Sequence, residues 1–184
     1  IVDQEDEAIV EIVKEEINSA GGLDVKGTKY KLEFIYVDNE LKPDSAINAA
    51  NKLIDIDKVL ASVGPEGSGR AIAAGEVYND SEVPMITPWA TNPKATKDRP
   101  FCFRACFLDP FQGSVHAYLA KSVFNAKKAY ALAKLGDDYS VGLCNYFIEA
   151  AKKLGIEVVY ETFPDGTSDF AAYVANAKNC GADV

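Results

Sequence analysis

The sequence predicts an α/β fold built on parallel sheets. Two patterns predict it: short apolar strand-like runs alternate with amphipathic helices, and nearly every pair of successive strands is separated by a helix-length segment. A third is the small residues and prolines clustered where strands end, the place at which open α/β sheets bind ligands.

Taken in order, residues 3–19 read as a helix with Ile9, Ile12, Val13 and Ile17 on one face, ended by Gly21-Gly22. Residues 31–37 read as a strand, Leu32, Phe34 and Tyr36 alternating with Lys31, Glu33 and Ile35. Pro43 suits a helical first turn, and the helix should run to about Asp55, burying Ala46, Ile47, Ala50, Leu53 and Ile54. Strands are expected at 59–63, 83–87 and 101–105, with a helix at 69–79 packing through Ile72, Ala73, Val77 and Tyr78. A second block follows: a helix from Asp109-Pro110 to about Phe124, a strand at 129–134, a helix within 137–154 and a strand at 156–163. A helix at 168–179, capped near Gly181, closes the chain. The break between blocks falls near residues 105–110.

Both ends read as cut. A doubly wound domain normally begins with its central strand, whereas this chain opens at Ile1, beside its first helix and without a starting Met. The last residues, Gly181 to Val184, read as the approach to another strand, and two strands are few for the second sheet. The expectation is therefore an incomplete chain, prone to self-association where its sheet lacks a neighbour.

Composition narrows the function. The 28 acidic and 19 basic residues give a net charge of −9, the wrong sign for a nucleic-acid footprint or a polybasic membrane patch. No apolar run approaches the ~20 residues of a membrane helix. Cys102 and Cys106 are four strand residues apart, ~13 Å, too far for a disulfide between them. With Cys144 and Cys180 they read as four free thiols, and no His-rich cluster supports a metal. His116 is the single histidine, on a helical stretch, so any Ser/His nucleophile would depend on it alone. No phosphate-loop or nucleophile-elbow pattern is present, and the expected site uses neither cofactor nor metal.

Two loops carry the chemistry. Gly64-Pro65-Glu66-Gly67-Ser68-Gly69-Arg70 opens a helix, whose free N–H groups and dipole favour an anion; Ser68 adds a hydroxyl, though it serves equally as a helix cap. Thr87-Pro88-Trp89-Ala90-Thr91-Asn92-Pro93 is stiffened by its prolines, so the Trp89 carbonyl and the Thr91 hydroxyl can be held in fixed positions. A rigid connector with a surface tryptophan would look the same. Gly136-Asp137-Asp138-Tyr139-Ser140 repeats the strand-to-helix arrangement; Asp137 or Asp138 can cap the helix, and Tyr139 can close over a ligand or simply lie on the surface. Together these groups suit a small zwitterion and are poorly equipped to break bonds.

At these loops the chain resembles the type I periplasmic solute-binding proteins of ABC transporters, in particular the branched-chain amino-acid (Leu/Ile/Val-binding) family. The resemblance extends through Glu16 to Gly22, Tyr36-Val37-Asp38-Asn39 with Pro43 and Ala46, both ligand loops, Phe103-Arg104-Ala105-Cys106 with Asp109-Pro110-Phe111-Gln112-Gly113, Asp138-Tyr139 and Asp169-Phe170. It implies a Venus-flytrap fold of two doubly wound lobes, residues 1–106 (first strand missing) and 107–184 (partial), closing on an amino acid. By the same resemblance Ser68 and Thr91 hold the ligand carboxylate, and the Trp89 carbonyl and Thr91 hydroxyl take the ammonium. Tyr139 comes from the second lobe, and Glu66, Gly67 and Ala90 border the pocket. The family's first strand, the acidic residue that completes its ammonium site and the disulfide of some members have no match.

The function implied is a non-enzymatic receptor that captures an amino acid, branched-chain or otherwise aliphatic, and delivers it to a membrane permease. Its place would be periplasmic or extracellular, with a lipid anchor open at the missing N-terminus. The alternatives are a sensory domain on the same scaffold and a hydrolase using Ser68. Trp89 would favour a larger or aromatic ligand if its ring faces the pocket.

Overall fold

The computed structural model describes residues 4–184; Asp3, where the first helix was expected to start, lies outside them. Helix α1 (Gln4–Ser19) ends at Gly21 and Gly22, both at positive φ, with the Gly22 N–H bonded to the Ile17 carbonyl. A hairpin absent from the sequence reading follows, β1 (Leu23–Val25) against β2 (Thr28–Tyr30). Its two turn residues, Lys26 and Gly27, both have positive φ, as a type I′ turn demands, and the Asp24 carboxylate accepts the Gly27 N–H.

The strand expected at 31–37 does not form. The segment keeps part of its alternation, Leu32 and Phe34 half-buried between exposed Lys31 and Glu33, but pairs with no strand among the described residues. A strand needs a ladder to satisfy its backbone. Here α1 provides substitutes: the Asn18 side chain donates to the Leu32 carbonyl and accepts its N–H, and the Tyr36 hydroxyl donates to Glu11. The same geometry leaves Ile9, Ile12 and Val13 exposed, so the apolar face expected of the first helix is not buried.

Helix α2 (Pro43–Asn51) runs into a π-helical turn (Lys52–Ile56). Strands β3 (Ser62–Val63), β4 (Met85–Thr87) and β5 (Cys102–Arg104) form a parallel sheet in that order, joined by α3 (Ser68–Asp80) between β3 and β4 and by a 3₁₀ turn (Pro93–Ala95) before β5. Helices α2 and α3 cover one face, where Ala46, Ala50, Ala74, Tyr78, Met85 and Cys102 make a core and Ile54 and Val77 pack against it. On the other face Val63, Ile86 and Phe103 are in register and exposed, so among the described residues helices cover a single face of this sheet.

The last sheet pairs β6 (Lys128–Lys134) with β7 (Glu157–Phe163) in parallel. Helices α4 (Asp109–Ser122) and α5 (Asp138–Lys153) cover the face carrying Ala129, through Ala117, Ala120 and Ala151, with Ile156 just before β7 in the same cluster. On the opposite face α6 (Ala171–Asn179) stacks Tyr173, with Phe170, against Phe163. The chain end lies along the free edge of β6: Asp183 N–H donates to the Lys128 carbonyl, and Tyr130 N–H to that of Val184. All four cysteines are free, and no described helix is long and apolar enough to cross a membrane.

Candidate functional site

The two loops leave the C-terminal ends of adjacent parallel strands, β3 and β4, and are stitched together by side chains. Thr87, fully buried, donates its hydroxyl to the Pro65 carbonyl (2.8 Å) and accepts the Ala90 N–H (3.3 Å). Ser68, 2% exposed, accepts the Asn92 N–H at 3.2 Å. Gly67 enters α3 at φ 71°, with the Arg70 guanidinium lying against its α-carbon and the Arg70 Nε donating to the Glu66 carbonyl at 2.7 Å. A side chain at residue 67 would collide with that guanidinium.

Arg104, at the end of β5, holds the second loop from beneath. Its guanidinium donates to the carbonyls of Ala90 (2.7 Å), Asn92 (3.0 Å) and Pro93 (3.1 Å) and to the Thr96 hydroxyl. One planar fork thus fixes the path of the loop. Asn92 also caps the 3₁₀ turn through the Lys94 N–H. Neither Thr87 nor Arg104 was assigned a role from the sequence. The signal available was a polar residue in phase with the buried residues of each strand: Thr87 two residues after Met85, and Arg104 two after Cys102.

The first turn of α5 closes against these loops. Asp137 caps the helix by accepting the Ser140 N–H, resolving the choice between it and Asp138. The Asn92 side-chain amide donates to the Asp138 carbonyl at 2.8 Å, and a Cβ on Gly142 would lie 2.8 Å from the same amide nitrogen. Beside them sits Asp109, wholly buried at the start of α4, its N–H donated to the Thr91 carbonyl. Burial pushes its carboxyl above the usual range, against the Thr91 hydroxyl and the Arg104 charge, which pull it down.

The expected site residues thus fall into two groups. Glu66, Gly67, Ser68, Ala90 and Thr91 are gathered in the stitched loops, Ala90 and Thr91 buried beside Arg104 and Asp109. Trp89 (64% exposed) and Tyr139 (38%) present side chains to solvent, the Tyr139 hydroxyl accepting from Gln112 Nε2 at 3.3 Å. Two shallow hollows lie elsewhere, along α4: one of about 220 Å³ lined by His116, Leu119, Phe124 and Phe147, the other by Phe107, Phe111 and Val115. Among the described residues no group of His, Cys, Asp and Glu could hold a metal.

Parallel sheets carry a pair of cross-linked small-residue loops, with a second helix start packed against them, in an α/β architecture. Residues 2–184 match the periplasmic binding protein family model, and the chain belongs to that family. It is 38% identical over 172 residues to an amino acid binding protein of Pseudomonas aeruginosa, covering 92% of this chain and 45% of that protein. Among solved structures, a leucine binding protein from Thermotoga maritima superimposes with a TM-score of 0.80 at 37% identity over 83% of this chain and 43% of that one. A branched-chain amino acid transporter substrate-binding protein from Streptococcus pneumoniae, in complex with isoleucine, gives 0.80 at 34% over 91% and 47%. The fold is thus of the type I periplasmic-binding-protein class. The chain spans about half the length of the curated relatives it matches.

Proposed function

We propose that this protein captures a free amino acid, branched-chain or otherwise aliphatic, and presents it to the membrane permease of an ABC transporter. The carrying observation is the stitched pair of loops, in which Thr87, Ser68 and Arg104 fix small residues, backbone amides and the Thr91 hydroxyl at the mouth of a helix N-terminus. Such an array recognises a carboxylate and an ammonium without supplying a nucleophile or base. The relatives' names, amino acid binding and leucine binding, support the ligand class.

On this reading residues 1–106 and 107–184 belong to two lobes hinged at Arg104–Asp109, and closure brings Tyr139 over the ligand. Ser68 and Thr91 take the carboxylate, the Trp89 carbonyl and the Thr91 hydroxyl the ammonium, and Glu66, Gly67 and Ala90 border the pocket. The protein works outside the cytoplasm, periplasmic or extracellular, free or lipid-anchored. The reading assigns no catalytic step: the Ser68 hydroxyl accepts the Asn92 N–H, and His116 lines an apolar hollow along α4.

A thermal-shift screen of the twenty amino acids tests the reading. Leucine, isoleucine or valine at 100 times its dissociation constant should add ~2.7 kcal/mol of stability. No shift with any amino acid would remove amino-acid capture as the function.

A further inference from the structure

Helix α4 is apolar on two opposite sides. Its inward side is made of small residues, Gly113, Ala117 and Ala120, which let it lie close to α5: a Cβ on Gly113 would stand 2.7 Å from the Phe147 nitrogen. Its outward side carries the large ones. Phe111, Val115, Tyr118 and Leu119 follow the i, i+4, i+7, i+8 spacing of one helical face and are between 44 and 68% exposed. Phe107 and Phe124 adjoin this stripe through the two hollows, and both are more than half exposed. Single exposed apolar side chains are ordinary, but a contiguous stripe marks an interaction surface. A helix that is apolar on both sides is one that is covered on both.

We propose that the outward face of α4 is the interface of a homodimer, covered by α4 of a second copy running antiparallel about a two-fold axis near Val115. Area, charge and shape favour this occupant. The six side chains expose on the order of 700 Å² of apolar surface, close to the ~800 Å² that each partner contributes to a standard interface. Between Asp109, which is buried, and Asp137 the chain has no acidic residue, and within α4 the only full charge besides Asp109 is Lys121. In a protein of net charge −9, two copies repel through most of their surface and least through this part of it. The two-fold sets Phe111 of one copy against Leu119 of the other. It sets Tyr118 against Gln112, where Phe111, Val115 and His116 line the second hollow. Such an isologous pairing closes on itself, so it gives a dimer and not a string of copies. The proposal is independent of the amino-acid reading.

The test is sedimentation velocity of the full chain over a range of concentrations, with one substitution placed on three different exposed apolar faces. Phe111→Lys and Tyr118→Lys change the α4 stripe, Ile12→Lys the exposed side of α1, and Phe103→Lys the bare face of the first sheet. All four sites are more than half exposed, and circular dichroism checks that each variant keeps its fold. The wild-type protein should be a dimer. Phe111→Lys and Tyr118→Lys should each weaken it by about 10–100-fold, the range of central interface residues, while Ile12→Lys and Phe103→Lys leave it within about threefold. Val115→Cys, which the two-fold sets against its own copy, should give a disulfide-linked dimer on oxidation in excess of wild type. A monomeric wild type, association that survives both α4 variants, or association weakened as much by Ile12→Lys or Phe103→Lys would overturn the proposal. So would Val115→Cys that cross-links no more than wild type.

Discussion

The side-chain amide of Asn92 donates to the backbone carbonyl of Asp138 at 2.8 Å, joining the loop after β4 to the first turn of α5 across 46 residues of sequence. Gly142 makes the approach possible, since a Cβ there would lie 2.8 Å from that amide nitrogen. One hydrogen bond and one absent methyl group thus set how closely the two halves of the candidate site meet.

Gly142→Ala should push the Asn92 amide aside and break its bond to Asp138, with a modest stability loss of about 1 kcal/mol because a side-chain end can move. Gly113→Ala is the contrast. Its Cβ would meet backbone atoms of Phe147 and Tyr146 at 2.7 and 2.8 Å, where α4 and α5 cross, and backbone yields less readily. A loss of about 2–3 kcal/mol is expected. Urea unfolding of the two variants checks the order, and equal losses would refute it.

Thr87→Val keeps the shape of a fully buried side chain and deletes its hydroxyl, orphaning the Pro65 carbonyl and the Ala90 N–H. The expected cost is about 1–3 kcal/mol, with Thr87→Ser retaining most of the stability. Chemical denaturation of the pair separates hydrogen bonding from packing.

Arg104→Lys exchanges a planar fork that serves three carbonyls for a single ammonium. Stability should fall by about 1–3 kcal/mol, and hydrogen exchange at Ala90 and Asn92 should quicken as the loop loosens. Unchanged exchange there would show that the prolines alone hold the loop.

These residues also mark what the sequence made legible. Alternation of β-type and helix-type periodicity located nearly every element from α2 onward, and the small-residue loops stood out at the ends of β3 and β4. The failures are non-local. Whether residues 31–37 become a strand depends on a neighbour to pair with, and here Asn18 takes the Leu32 backbone instead. The hairpin at Leu23–Tyr30 turns on Lys26-Gly27, a weaker signal than the Asn-Gly or Asp-Gly pairs usual in such turns. Thr87, Arg104 and Asp109 looked like ordinary polar residues, since their importance lies in partners 8 to 22 residues away.

The buried Asp109 carboxyl gives a pH signature. Its folded-state value is raised, chiefly by burial, so the acid form is the one the fold favours. Stability from this group is complete below the ordinary carboxylate range and is lost as pH rises through the raised value. Asp109→Asn should therefore raise the melting temperature of the ligand-free protein near pH 7, by ~2–4 °C for about 1 kcal/mol, and the advantage should vanish near pH 3. Melts at the two pH values check the sign.

Trp89 is the single tryptophan and lies in the second loop, which makes it a reporter on the site. The most direct measurement is a fluorescence titration of Trp89 with L-leucine, repeated on Thr91→Val. Amino-acid capture by these loops predicts a saturable change in the wild-type protein, weakened about tenfold or more by loss of the Thr91 hydroxyl. Saturable binding left untouched by Thr91→Val would place the ligand elsewhere, and no response to leucine, isoleucine or valine would contradict the account.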